Sequence, residues 1–205
     1  MRERFLSLWK RSNARGDGVT QFGELTLHYE GEARRAYHKL RHIEHCLDEC
    51  DEVMHLLQNP IAVGFTLWYH DFFQELEGDN ELASAELARD VMIEAGIAPI
   101  RALRTFELIL DTRHRKGIVP KTLDGKYVVD IDLAIFGQSV ERFEEYGEQV
   151  RQEYIHVPED TFRRVRVGIL EGFEEGIIYH TQHFQLKYEE QAHRNLRSSI
   201  AALHS

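Results

Sequence analysis

The sequence predicts an all-α fold, a single-domain helical bundle, on three observations. Apolar residues recur at three- and four-residue steps over most of the chain, the period of a helix buried on one side. Only four prolines interrupt the 205 residues, and runs of β-branched residues are few. No repeat, low-complexity block or Pro/Ser-rich linker divides the chain, and its length suits one domain with a sizeable core. Residues 1–205 are therefore read as one domain.

The N-terminal 29 residues are the least defined: "MRERFLSLWKRSN" suggests a helix, and residues 15–29 a loop over one end of the bundle. From Glu30 to about Leu57, the positions Ala33, Tyr37, Leu40, Ile43, Leu47, Val53 and Leu57 mark a long amphipathic helix. Asn59-Pro60 stops it and opens the next, because proline suits a first helical turn. That next helix, residues 60–74, is apolar nearly all round and belongs in the middle of the bundle. Asp79 or Asn80 caps a further helix that ends at Gly96. Another follows over residues 98–113, then a turn-rich stretch, "RKGIVPKTLDGKY", and "DIDLAIFG". Helices over 139–154, from Pro158 to about Glu175, and over 182–203 complete the chain. Phe184, Tyr188, Ala192, Leu196 and Ile200 form the stripe of the last one.

Composition narrows the function. Hydrophobic residues at 42% and charged residues at 29% are ordinary for a soluble globular protein, and the net charge of −10 argues against a nucleic-acid polymer as partner. A small phosphorylated substrate stays open, since a bound dication inverts the local field. The N-terminus begins basic, but Ser7, Lys10 and Arg11 break its apolar stretch and no cleavage pattern follows. No segment approaches the roughly 18 apolar residues of a membrane span, so the expectation is a cytoplasmic protein with no membrane partner. Cys46 and Cys50 share a helix face without forming a Cys-x-x-Cys pair, which reads as two buried, reduced thiols. An apolar helix face left over would leave a homodimer open.

The chemistry concentrates at His70-Asp71 in the apolar run "FTLWYHDFF". Upstream lie His38, His42 and His45, at helical spacing that brings them toward one face. Downstream lie Asp130 and Asp132, either of which could complete a ligand set. His70 and Asp71 are about 100° apart around a helix axis, and both can lean toward an ion placed beside it. Mixed imidazole and carboxylate donors suit Mn²⁺, Fe²⁺, Co²⁺, Ni²⁺ or Zn²⁺ better than Ca²⁺.

The order His…His-Asp…Asp, together with "YHKLRHIEH", "WYHDFF", "GDNELASA", "LDTRH", "DIDLAIFG", "VRQEY" and "HRNL", resembles the HD superfamily of metal-dependent phosphohydrolases. It is most similar to a bacterial group of roughly this length, and the matching segments run from about residue 37 to the C-terminus. The resemblance implies a bundle of the HD-domain type holding one divalent metal ion, with Mg²⁺ added to the candidates above. It makes His42 the first ligand, His70 and Asp71 the pair, and Asp132 the last ligand in preference to Asp130. It implies hydrolysis of a small phosphorylated compound, with nucleotides among the candidates. The alternative is a non-catalytic metal- or nucleotide-binding sensor module of the same fold.

Such chemistry needs groups that manage protons and hold phosphate. Glu81 is the candidate general acid/base, beside a catalytic role for Asp71; a carboxylate near a helix N-terminus also has the simpler role of complementing the dipole. His38, His114, Arg151 and Tyr154 are the candidates for substrate binding. For Arg151 the competing reading is a surface ion pair with Glu144 or Glu148. The remaining histidines read as surface or core residues.

Overall fold

Local capping and apolar periodicity account for most of the helix ends in the computed structural model, which describes residues 1–75, 78–114 and 118–204. Helix α1 (Arg2–Arg11) buries Phe5, Leu8 and Trp9. Asp17 then accepts from the Val19 amide at 2.9 Å and starts α2 (Gly18–Gly31). The expected loop over residues 15–29 is therefore mostly helix: an Asx cap outweighs the glycines in this stretch.

Helix α3 (Leu40–Val53) begins ten residues later than the periodicity from Glu30 predicts. Residues 32–39 are irregular, because distant side chains take their backbone groups. Glu153 Oε1 accepts from the amides of Ala36, Tyr37 and His38 at 2.8, 2.8 and 2.9 Å, and the interior of a helix cannot spare three amides in a row. A short 3₁₀ turn, Met54–Leu56, leads to α4 (Pro60–Tyr69), in which every residue from Ala62 to Tyr69 is buried. α4 stops at Tyr69, short of the expected residue 74, with His70 as its C-cap.

Asp79 caps α5 (Asn80–Glu94) by accepting from the Leu82 amide at 3.0 Å. Gly96, at φ +73°, makes the turn that follows. Next come α6 (Pro99–Asp111) and α7 (Leu123–Asp132), the latter capped by the Thr122 hydroxyl. α7 therefore starts inside the stretch read as turns; residues 115–117 of that stretch lie outside the described residues. A 3₁₀ segment, Leu133–Gly137, extends α7. Helices α8 (Val140–Glu153), α9 (Glu159–Glu174) and α10 (Gln182–His204) fall close to their expected ranges. No strand occurs among the described residues.

α4 occupies the middle, in contact with α1, α3, α5, α6 and α7, as an all-apolar helix must. α10 lies along α9 and the 3₁₀ segment. Gly137 permits that approach, since a Cβ there would overlap the Cβ of Tyr188. A Gly137→Ala protein is expected to lose about 1–3 kcal/mol of stability, read as a lower urea midpoint at unchanged slope. A midpoint equal to wild type would show that the α10 contact is looser than described.

Candidate metal centre

Three separated stretches supply the centre, and the fold brings their donors together. His42 lies in the first turn of α3, His70 and Asp71 follow the end of α4, and Asp132 is the last residue of α7. α4 packs against both other helices, so its C-terminal end meets the ends of the other two.

The four donor atoms form a tight cluster. His42 Nε2 lies 3.1 Å from His70 Nε2, 3.2 Å from Asp71 Oδ2 and 3.2 Å from Asp132 Oδ1. His70 Nε2 lies 3.1 Å from Asp71 Oδ2 and 3.3 Å from Asp132 Oδ1. One N–H cannot serve three partners at such spacing, and a proton shared between the two imidazole nitrogens leaves the facing carboxylate oxygens without a donor. A cation serves all four at once. Donors about 3.2 Å apart also match neighbouring ligands on a divalent ion bound at about 2.0–2.2 Å.

The atoms of these side chains that face away from the cluster are held as well. His70 Nδ1 lies 3.2 Å from the Leu67 carbonyl oxygen; donation there makes Nε2 the lone-pair nitrogen of the neutral ring. Gln74 Nε2 donates to Asp71 Oδ1 at 3.2 Å. His114 Nε2 donates to Asp132 Oδ2 at 2.7 Å. Partners of this kind fix ring and carboxylate orientation in metal sites. Arg35, almost fully buried, adds a backbone clamp: its guanidinium donates to the carbonyls of His38, Asp71 and Phe72 at 3.0, 2.8 and 2.5 Å.

The two carboxylates make the centre attract positive charge, either a proton on His70 or a metal ion in its place. Burial penalises the charged forms of Asp71 and Asp132, but His70 beside them outweighs that penalty and holds both well below the usual carboxylate range. Burial likewise opposes a charged His70, and the two carboxylates overcome it, raising its pKa well above the ordinary value.

A cysteine joins this cluster that sequence reasoning did not place there. His42, Cys46, His70 and Asp132 present ligand-type atoms within 4.8 Å of one another. Cys46 Sγ is 3.6 Å from Nε2 and 3.8 Å from Nδ1 of His42, and so lies against that ring. Asp71 Oδ2, 3.2 Å from His42 Nε2, lies closer to that ring than Cys46 Sγ, at 3.6 Å. The helical spacing of His42 and Cys46 was the available signal; pairing Cys46 with Cys50 obscured it.

The other expected site residues divide. His114 reaches the centre through Asp132, and its backbone adopts a left-handed φ of 45°, an uncommon conformation for a non-glycine residue. His38 sits near it but on the irregular segment, not on a helix face with His42; its Nδ1 pairs with Glu153 Oε2 at 2.7 Å and its ring is 6.0 Å from that of His42. His45 turns to Glu49, 3.6 Å away. Of the two aspartates, Asp132 reaches the histidines. Asp130 is buried elsewhere and accepts from the His180 and Thr181 amides at 2.7 and 2.8 Å and the Thr181 hydroxyl at 2.6 Å.

Glu81 borders a surface hollow with Gly78, Asp79 and Arg113, and no hydrogen bond or ion pair links it to a ligand residue among the described residues. Arg151 is engaged with Glu159 at 2.8 Å and with the carbonyls of Tyr154 and Val157; its ion-pair partner is Glu159 rather than Glu144 or Glu148. Tyr154 lies with its ring 6.4 Å from that of Phe162.

Comparison with family models, with curated proteins and with solved structures gave no match. The site therefore stands on its own geometry. No helix among the described residues is long and apolar enough to cross a membrane.

Proposed function

We propose that this protein is a metal-dependent hydrolase of a small phosphorylated compound, built on an HD-type bundle with His42, His70, Asp71 and Asp132 as ligands of one divalent ion. The observation that supports this most is the convergence of those four donors, with His70, Asp71 and Asp132 each held by a further bond from its opposite side. The ion belongs to the group Mn²⁺, Fe²⁺, Co²⁺, Ni²⁺ and Zn²⁺, for which mixed nitrogen and oxygen donors are suitable, with Mg²⁺ added by the resemblance alone. The phosphate part of the reading comes from the resemblance in the ordered His…His-Asp…Asp segments.

When bound, such an ion supplies Lewis acidity toward a phosphoryl oxygen and lowers the pKa of water. The chain's own residues hold the geometry: His114 orients Asp132, Gln74 orients Asp71, and Arg35 ties the segment carrying His38 to that carrying Asp71. His38, fixed by Glu153, stands close enough to bear on Asp71 electrostatically and is the best placed of the expected substrate-binding residues outside the ligand set.

The test is a panel of phosphomonoesters and nucleotides with Mn²⁺, Mg²⁺, Co²⁺ and Ni²⁺ added. Expected is turnover that stops with a chelator and returns with metal. One observation favours the sensor reading: among the described residues, no hydrogen bond or ion pair joins Glu81, the candidate proton acceptor, to a ligand residue. Well-metallated protein that turns over no phosphorylated compound would put that reading first.

A further inference from the structure

His114 belongs to two places at once. Its Nε2 bonds Asp132, and its ring also lines a cavity of about 490 Å³. Phe173 meets that ring edge-on, 5.9 Å between centroids, inside the same cavity. Leu133, the residue after Asp132, is another wall, as are Val129, Ile169 and Ile178. At its border Ile118 and Ile177 are 62% and 73% exposed. Asp111, Glu175 and His180 add polar groups to the lining, and concave apolar surfaces with a few polar groups are the usual form of small-molecule sites.

Helix α9 keeps the hollow open. Gly168 and Gly172, four apart and so on one face, both line it, and a Cβ added to either meets nothing within 4 Å. No contact among the described residues requires glycine there, although glycine inside a helix is less stable than alanine. His114 Nδ1 is buried and has no hydrogen-bond partner among the described residues, on a ring that bonds a ligand-type carboxylate and lines the hollow.

We propose that this hollow takes the apolar organic part of a phosphorylated ligand whose phosphoryl group lies at the metal centre. The substrate class is then a phosphate monoester of an aliphatic or aromatic alcohol. The proposal rests on the phosphohydrolase reading for the phosphate end, and binding separates the two.

Calorimetric binding of n-alkyl phosphonates, from methyl to octyl, to Mn²⁺-loaded protein tests it, with turnover of the matching n-alkyl phosphates followed alongside. Affinity is expected to rise about two- to fourfold per added methylene until the hollow is filled. The gradient should flatten in Gly172→Leu, whose side chain enters the space. It should persist in Gly147→Leu, a control on α8 where an added Cβ also meets nothing. A binding gradient without turnover of any alkyl phosphate removes the hydrolase reading and leaves the hollow assigned. A flat series in the wild-type protein, or a gradient that survives Gly172→Leu, overturns the proposal.

Discussion

A His70→Ala protein is expected to bind divalent metal at least about a hundredfold more weakly than wild type and, under the proposed hydrolase function, to lose any chelator-sensitive turnover with it. A hundredfold is the upper end of what losing an outer-shell partner costs, and His70 contributes more than that: its Nε2 is 3.1–3.3 Å from three other donors. The substitution also leaves Asp71 and Asp132 without the histidine that most lowers their pKa values. Metal content after dialysis is the direct measurement. Thermal unfolding with and without added Mn²⁺ separates lost ligation from lost folding, because a ligand that binds only the native state raises the melting temperature. Wild-type protein should show the rise and His70→Ala should not. Equal metal content in the two proteins would remove the centre altogether.

The second large effect is expected at Glu153, whose carboxylate organises the segment over the centre. Burial opposes its charge, but His38 and the backbone amides overcome that and lower its pKa from 4.5 to about 2. A depressed carboxylate stabilises the fold above its unfolded pKa, and the stabilisation is lost as pH falls through the folded value. For a shift from 4.5 to about 2 this amounts to about 3 kcal/mol, present above pH 4.5 and fading toward pH 2. Glu153→Gln keeps an acceptor for the amides but loses the charge, so it should cost about 2–3 kcal/mol at neutral pH. Urea midpoints at pH 7 and pH 3 check both statements: wild type should weaken toward pH 3 more than the variant. Identical pH dependence in the two proteins would show that another group carries the acid sensitivity.

Much of the helix order was legible because its signals are local. Asp79 as a cap, Gly96 as a stop and Pro60 as a first-turn residue act through neighbours a few positions away. The misread start of α3 has a distant cause. Periodicity carried a helix back to Glu30, whereas the amides of residues 36–38 are taken by a carboxylate 115 to 117 positions further along. Within the site, the donor types were readable: histidines upstream, His70-Asp71, and an aspartate downstream. Cys46 was not, since its nearness to the other donors depends on how α3 sits against α4.

Sequence alone offered the histidines and aspartates that could hold a cation and most of the segments that coil, because residue type and helical period are properties of neighbouring positions. Tertiary packing chose among them. Asp130 and Asp132, two residues apart, point roughly 200° away from each other around a helix. Only the seating of α7 against α3 and α4 turns one toward the histidines and the other toward Thr181.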